Sequence, residues 1–124
     1  MYNTYYSIDI DNVPKGSIEA LSEKLKEFMD DIWENSCTNL GGHYYGRWYE
    51  WEVDLANLSS EFPEIFITVD GSGEDAYDWW RAYVKDGSIQ VTHAKIVYEE
   101  YDPAKMREIN PPQLGEKPSV GDLL

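Results

Sequence analysis

Between Ile65 and Tyr98 three runs rich in β-branched and aromatic residues are separated by two turn signals, a pattern that predicts an antiparallel meander. The second signal, Asp86-Gly87, suits a two-residue type I′ turn, which needs φ > 0 at both central positions. A turn there pairs Val84 with Ile89, Ala82 with Val91 and Trp80 with His93 on one face. The other face receives Tyr83 with Gln90 and Arg81 with Thr92. One face is mostly apolar and the other mixed, as in a sheet covered on one side. Beyond His93 the apolar parity passes to Ala94, Ile96 and Tyr98, which predicts a bulge or bend near His93.

Upstream, Tyr6, Ile8 and Ile10 alternate with Tyr5, Ser7 and Asp9, so Tyr5–Ile10 reads as a strand. Asp11 to Gly16 is a loop, and Ser17 is a candidate N-cap. Ile18, Leu21, Leu25, Phe28, Met29 and Ile32 then recur at helical spacing, with Glu23, Glu27, Asp30, Asp31 and Glu34 opposite. Asn35 to Arg47, with Gly41, Gly42 and Gly46, reads as a loop. A second helix is expected from about Trp48 to Phe62, carried by Trp48, Trp51, Leu55, Leu58 and Phe62 and stopped by Pro63. Ile65–Asp70 is the next strand, and Gly71 to Asp75 an acidic turn. After Tyr101 the Asp102-Pro103 step breaks the strand, and Met106 and Ile109 suit one helical turn. Pro111, Pro112 and Pro118 point to an extended tail.

The expected order is therefore β-α-α-β-β-β. This is an α+β chain whose antiparallel sheet carries two helices packed on one face, as a ferredoxin-like two-layer sandwich. Residues 1–101 form a single α+β domain and residues 102–124 a Pro-containing extended C-terminal tail. The expected core holds Leu21, Leu25, Phe28, Trp48, Trp51, Leu55, Leu58, Ile67, Val69, Trp80, Val84 and Val91.

Charge changes the picture. The chain has 24 acidic and 10 basic residues in 124, net −14, which disfavours nucleic acid and anionic membrane and favours basic partners. The apolar residues are too well patterned for a disordered chain. Cys37 is the one cysteine, so no disulfide framework is expected, and a reduced, cytoplasmic setting fits. Met1-Tyr2-Asn3 opens straight into a strand-like run, so no signal peptide is expected, and no apolar run approaches a membrane span.

Candidate chemistry is sparse. Asp70, Ser72, Glu74, Asp75 and Asp78 crowd oxygen ligands around two glycines, but the spacing lacks the Gly at 6 and Glu at 12 of an EF-hand loop. His43 and His93 are fifty residues apart without a ligand-spaced neighbour. Cys37 and His43 lie six residues apart, a spacing that fixes no geometry, and His93 falls on the apolar face, where a satisfied core histidine is expected. No GxSxG, phosphate loop or dinucleotide fingerprint is present. The reading is a non-enzyme with no metal and no cofactor.

Charge placement is more specific. From Trp48 to Trp80 there are nine acidic residues and no basic one, and Arg47 and Arg81 bracket the gap. Glu50, Asp54 and Glu61 line the far side of the second helix, and Glu74, Asp75 and Asp78 fill the following turn. These six are the candidate partner-binding residues. They suit a surface that imitates the phosphate track of a nucleic acid and docks on the basic groove of a nucleic-acid enzyme.

The stretch from Trp48 to Gln90 resembles a pattern in small proteins of phages, prophages and mobile elements. In that pattern an acidic W-Y-x-x-E-x-D helix is followed by F-P-x-x-x-F, a G-x-G-E turn, a Trp-containing strand and a [KN]-[DN]-G hairpin. Trp48, Tyr49, Glu52, Asp54, Phe62, Pro63, Phe66, Gly71, Gly73, Glu74, Trp80, Asp86 and Gly87 carry the resemblance, over about a third of the chain. It implies a plasmid- and phage-type ferredoxin-like domain and no catalytic residues. It also implies an inhibitor of a host defence effector, anti-CRISPR or anti-restriction in type, acting in the host cytoplasm. The alternative is a phage structural or housekeeping interaction module without an inhibitory role.

Overall fold

The structure, a computed structural model, describes residues 2–109. The Pro-rich segment predicted to be extended falls mostly in residues 110–124, outside the described residues. The elements are β1 (Thr4–Asp11), α1 (Ile18–Leu25), β2 (Asp31–Ser36), β3 (Asn39–Gly46), α2 (Trp51–Glu61), β4 (Phe66–Gly73), β5 (Trp79–Lys85) and β6 (Ser88–His93), then a short 3₁₀ turn at Pro103–Lys105. All six strands join one antiparallel sheet in the order β2-β3-β1-β4-β5-β6. The chain is α+β, with an antiparallel sheet and two helices.

The alternation seen in β1 puts Tyr6, Ile8 and Ile10 on one face, where all three are buried. β1 is central: Ile8 faces Gly42 of β3 and Val69 of β4, and Ile10 faces Leu40 and Ile67. Leu21 and Leu25 of α1 and Leu55 and Leu58 of α2 join those residues, with Ile65, Ala82 and Val84, in one core cluster. Both helices therefore cover the same face. Glu19 in the first turn of α1 and Lys24 in its last complement the helix dipole.

The Asp86-Gly87 hairpin forms with the expected pairs, from Val84–Ile89 to Trp80–His93. Asp86 and Gly87 have φ of 50° and 80°, as the turn type demands. The turn is tied down by α2: the Gly87 amide donates to the buried Ser59 hydroxyl at 2.8 Å, and that hydroxyl donates to the Ala56 carbonyl at 2.8 Å.

Other expectations are corrected. The order is β-α-β-β-α-β-β-β, not β-α-α-β-β-β, and the six-stranded sheet differs from the ferredoxin-like sandwich expected. α1 stops at Leu25, and the residues read as its continuation and as a loop form the β2–β3 hairpin. Pairing Asp31–Glu34 against Leu40–His43 satisfies backbone groups that helical spacing alone could not assign. α2 begins at Trp51 rather than Trp48, and Met106 and Ile109 lie outside the 3₁₀ turn. Val91 is 38% exposed because it sits on the edge strand; Phe28, Trp48, Trp51 and Trp80 are packed against the core but only partly buried. No strand continues past His93: the last rung is Ala94 N–H to the Trp79 carbonyl at 2.8 Å, after which the chain leaves the sheet.

Candidate protein-binding surface

Tyr6 anchors an aromatic cluster beneath the first turn of α2. Its ring packs edge-on to Trp48 and Trp80, with centroids 5.4 and 5.9 Å away, and Trp51 stacks on Trp80 at 4.6 Å. Burial among these rings raises the Tyr6 phenol above its usual range. The cluster fixes the start of α2 over the end of the sheet where β4 turns into β5. Glu50 and Glu52, both exposed, thus share one end of the molecule with the turn bearing Glu74, Asp75 and Asp78.

That turn is held by the N-terminus. The Asn3 amide donates to Glu74 Oε2 at 2.5 Å, the Tyr2 hydroxyl donates to Asp78 Oδ2, and the Asp75 amide donates to the Tyr2 hydroxyl at 3.2 Å. The bond to Asp78 raises the Tyr2 phenol above its usual range. The Asp75 side chain makes no bond among the described residues and is free to meet a partner. Tyr77 sits at φ 68°, an unusual value for a bulky side chain, and its ring meets Trp79 edge-on at 5.9 Å. Tyr49, Tyr77 and Trp79 are 75%, 63% and 48% exposed. Trp79, with Tyr77 beside it, faces the uncovered side of the sheet, whereas Glu52 lies on the helix-covered side with Trp51 and Trp80. Arg47, two residues before Tyr49, stacks 4.7 Å over its ring.

The six candidate residues do not form one patch. Glu50, Glu74, Asp75 and Asp78 belong to this end. Asp54 is half-buried rather than on the far face, and its Oδ2 accepts the Trp48 indole N–H at 2.7 Å. Glu61 lies at the opposite end of α2, 3.4 Å from Lys24 Nζ across the groove between the helices. Asp54 thus holds the start of α2 in place, whereas Glu61 makes an exposed ion pair.

Sequence reasoning expected a sheet covered on one side but missed what gathers on its uncovered face. There His43 stacks on Tyr5 at 5.5 Å and Trp33 lies 6.1 Å from His43. Beside them Arg81 forks onto Asp70, at 2.5 and 3.2 Å, which raises the guanidinium pKa further above its already high value. A groove of about 520 Å³ opens here between Tyr5, Asp70, Trp79, Arg81, Tyr83 and Thr92. The signal lay in alternation across β1, β3 and β4, which becomes readable once β3 is known to be a strand.

The candidate chemistry finds no assembly. Cys37 is exposed at the tip of the β2–β3 hairpin, whereas His43 sits mid-strand, about 13 Å from Asn39 at the usual rise. His93, expected in the core, is exposed because β6 is an edge strand. Among the described residues no group of three or more His, Cys, Asp or Glu side chains is placed to hold a metal ion, and no helix is long and apolar enough to cross a membrane. Comparison with protein-family models, curated proteins and solved structures returns no match to this chain.

Proposed function

We propose that this chain is a non-enzymatic acidic inhibitor that binds the basic nucleic-acid groove of another protein, a defence effector of the kind phages and mobile elements must block. The observation that carries the reading is the end carrying Glu50, Glu52, Glu74, Asp75 and Asp78, together with the exposed rings of Tyr49, Tyr77 and Trp79. Carboxylates attract a concentrated basic groove over distances of about a Debye length, roughly 10 Å at 0.1 M salt. Exposed Tyr and Trp supply the contact area that dominates interface energetics. The sequence from β1 to β4 runs β-α-β-β-α-β with β1 between β3 and β4, and the β5–β6 hairpin extends the same sheet.

The test is a cleavage assay with a purified CRISPR nuclease complex and target DNA, with duplex DNA as competitor. Inhibition that weakens with salt, is relieved by competitor, and is lost in a folded Glu50→Lys/Asp75→Lys variant supports the reading. Inhibition untouched by salt and by the variant would move the contact to the aromatic row Trp33–His43–Tyr5. Absence of inhibition across several nuclease classes would leave the housekeeping interaction module as the better account.

A further inference from the structure

The run of β-branched and aromatic residues that begins in β6 carries on to Tyr101, but the strand itself covers only Ser88–His93. The Ala94 amide points inward to Trp79, so even-numbered residues of β6 turn their backbone groups toward β5. Ile89, Val91 and His93 turn theirs outward, to the open edge of the sheet. Edge strands are normally guarded by charge, proline, bulges or a covering element. The opposite edge is guarded: β2 carries Asp31 and Glu34, and its register shifts between Glu34 and Ser36. β6 reads Ser-Ile-Gln-Val-Thr-His and has none of these devices. In a chain with 24 acidic residues, this edge strand has no acidic residue at all.

The arm beyond it has the composition of a strand and no strand partner among the described residues. Ile96, Val97, Tyr98 and Tyr101 are 42%, 85%, 81% and 76% exposed. The arm cannot fold back on its own β6, because no Gly, Pro, Asn or Asp lies between Ser88 and Asp102 to make the turn. Among the described residues nothing pairs with the outward groups of β6, so they are open to another molecule.

We propose that this molecule is a second copy of the chain. The strands from Ser88 to Glu100 pair antiparallel about a two-fold axis at Ala94 and join two six-stranded sheets edge to edge. Outward groups must meet outward groups, which sets Val91 opposite Val97 and His93 opposite Lys95. Ala94, the smallest side chain in the strand, then meets its own mate, where strands approach to about 4.5 Å between Cα atoms. Val97 covers the exposed Val91 at the rim of a groove lined by Trp51, Glu52, Trp80 and His93. Lys95 is the one charged residue between Ser88 and Tyr98, so two acidic chains repel least along this stretch. It also reaches the rim occupied by Glu52, a complementary charge with no partner in its own chain among the described residues.

Sedimentation of the full chain over about a hundredfold range of concentration tests this. A dimer of the 14.4 kDa chain is expected, with a melting midpoint that rises with concentration. Val97→Pro removes an outward amide from the exposed arm, so it should give a folded monomer. In a Cys37→Ser background, Ala94→Cys should form an intermolecular disulfide on mild oxidation, whereas Gln90→Cys, far from its mate, should not. A wild-type chain that stays monomeric, a Val97→Pro variant that still dimerises, or equal cross-linking of the two cysteine variants would overturn the proposal.

Discussion

The indole of Trp80 lies across Gly71, its direct partner on the neighbouring strand, so closely that a Cβ on residue 71 would fall 2.0 Å from the ring. Trp51 stacks on the same indole at 4.6 Å, so the ring has no room to retreat. Gly71→Ala must shift either the ring or β4, and overpacking of this kind costs about 1–3 kcal/mol. A urea midpoint equal to that of the parent would show that Trp80 moves freely.

Leu55 is fully buried between α2 and the sheet. Leu55→Ala should lose about 2–5 kcal/mol, and Leu25→Ala on α1 a similar amount. Val53, on the same helix but 54% exposed, should tolerate Ala within about 0.5 kcal/mol. Equal losses at Leu55 and Val53 would mean that the assigned face of α2 is wrong.

The contrast between hairpins shows what this sequence makes legible. β5–β6 could be read to the residue because its turn chemistry is local and its faces alternate cleanly. β2–β3 could not, because Gly41, Gly42 and Gly46 carry the signature of a loop. In the fold a Cβ at Gly41 would strike the Trp33 indole at 2.3 Å, so that strand position needs the absence of a side chain rather than a turn. Ile32 fits a helical period equally well, and only the long-range pairing with β3 decides against it, while Phe28 and Met29 stay in the turn that closes α1.

The candidate site was half legible for a related reason. A helical wheel sees one helix at a time. It set Asp54 and Glu61 opposite the apolar stripe, but α1 packs beside α2 and turns part of that side into the groove lined by Lys24, Phe28, Asp54 and Glu61. Glu50 and Asp75 escaped this error because both stay exposed, although the N-terminus holds Glu74 and Asp78.

Alkaline pH should report on Tyr6. Burial favours its neutral phenol, so its pKa is higher in the folded chain than the unfolded value of about 10. The resulting stabilisation is fully present below that unfolded value and is lost as pH rises through the folded pKa. Tyr6→Phe cannot ionise, so its urea midpoint should fall less steeply than the parent's above about pH 10. Parallel curves would mean that the Tyr6 phenol is not held neutral by the fold. Tyr2, raised by its bond to Asp78, should also ionise late in a phenolate absorbance titration, and Asp78→Asn should bring it back toward the usual range.

Trp48 and Asp54 separate what the acidic residues do for folding from what they do for binding. The Trp48 indole N–H has its acceptor in Asp54 at 2.7 Å in a partly buried setting. Asp54→Ala leaves that donor without a partner and should cost about 1–3 kcal/mol, while Asp54→Asn keeps an acceptor oxygen and should cost less. Glu50 is exposed and makes no side-chain bond among the described residues, so Glu50→Lys should leave the urea midpoint within about 0.5 kcal/mol of the parent. If the binding surface is the end shared by Glu50 and the Glu74–Asp78 turn, inhibition follows the opposite order. Glu50→Lys, paired with Asp75→Lys, removes it from a folded protein, and Asp54→Asn leaves it intact. An Asp54→Asn variant that folds normally yet fails to inhibit would place the contact in the groove between the helices, beside Lys24 and Glu61.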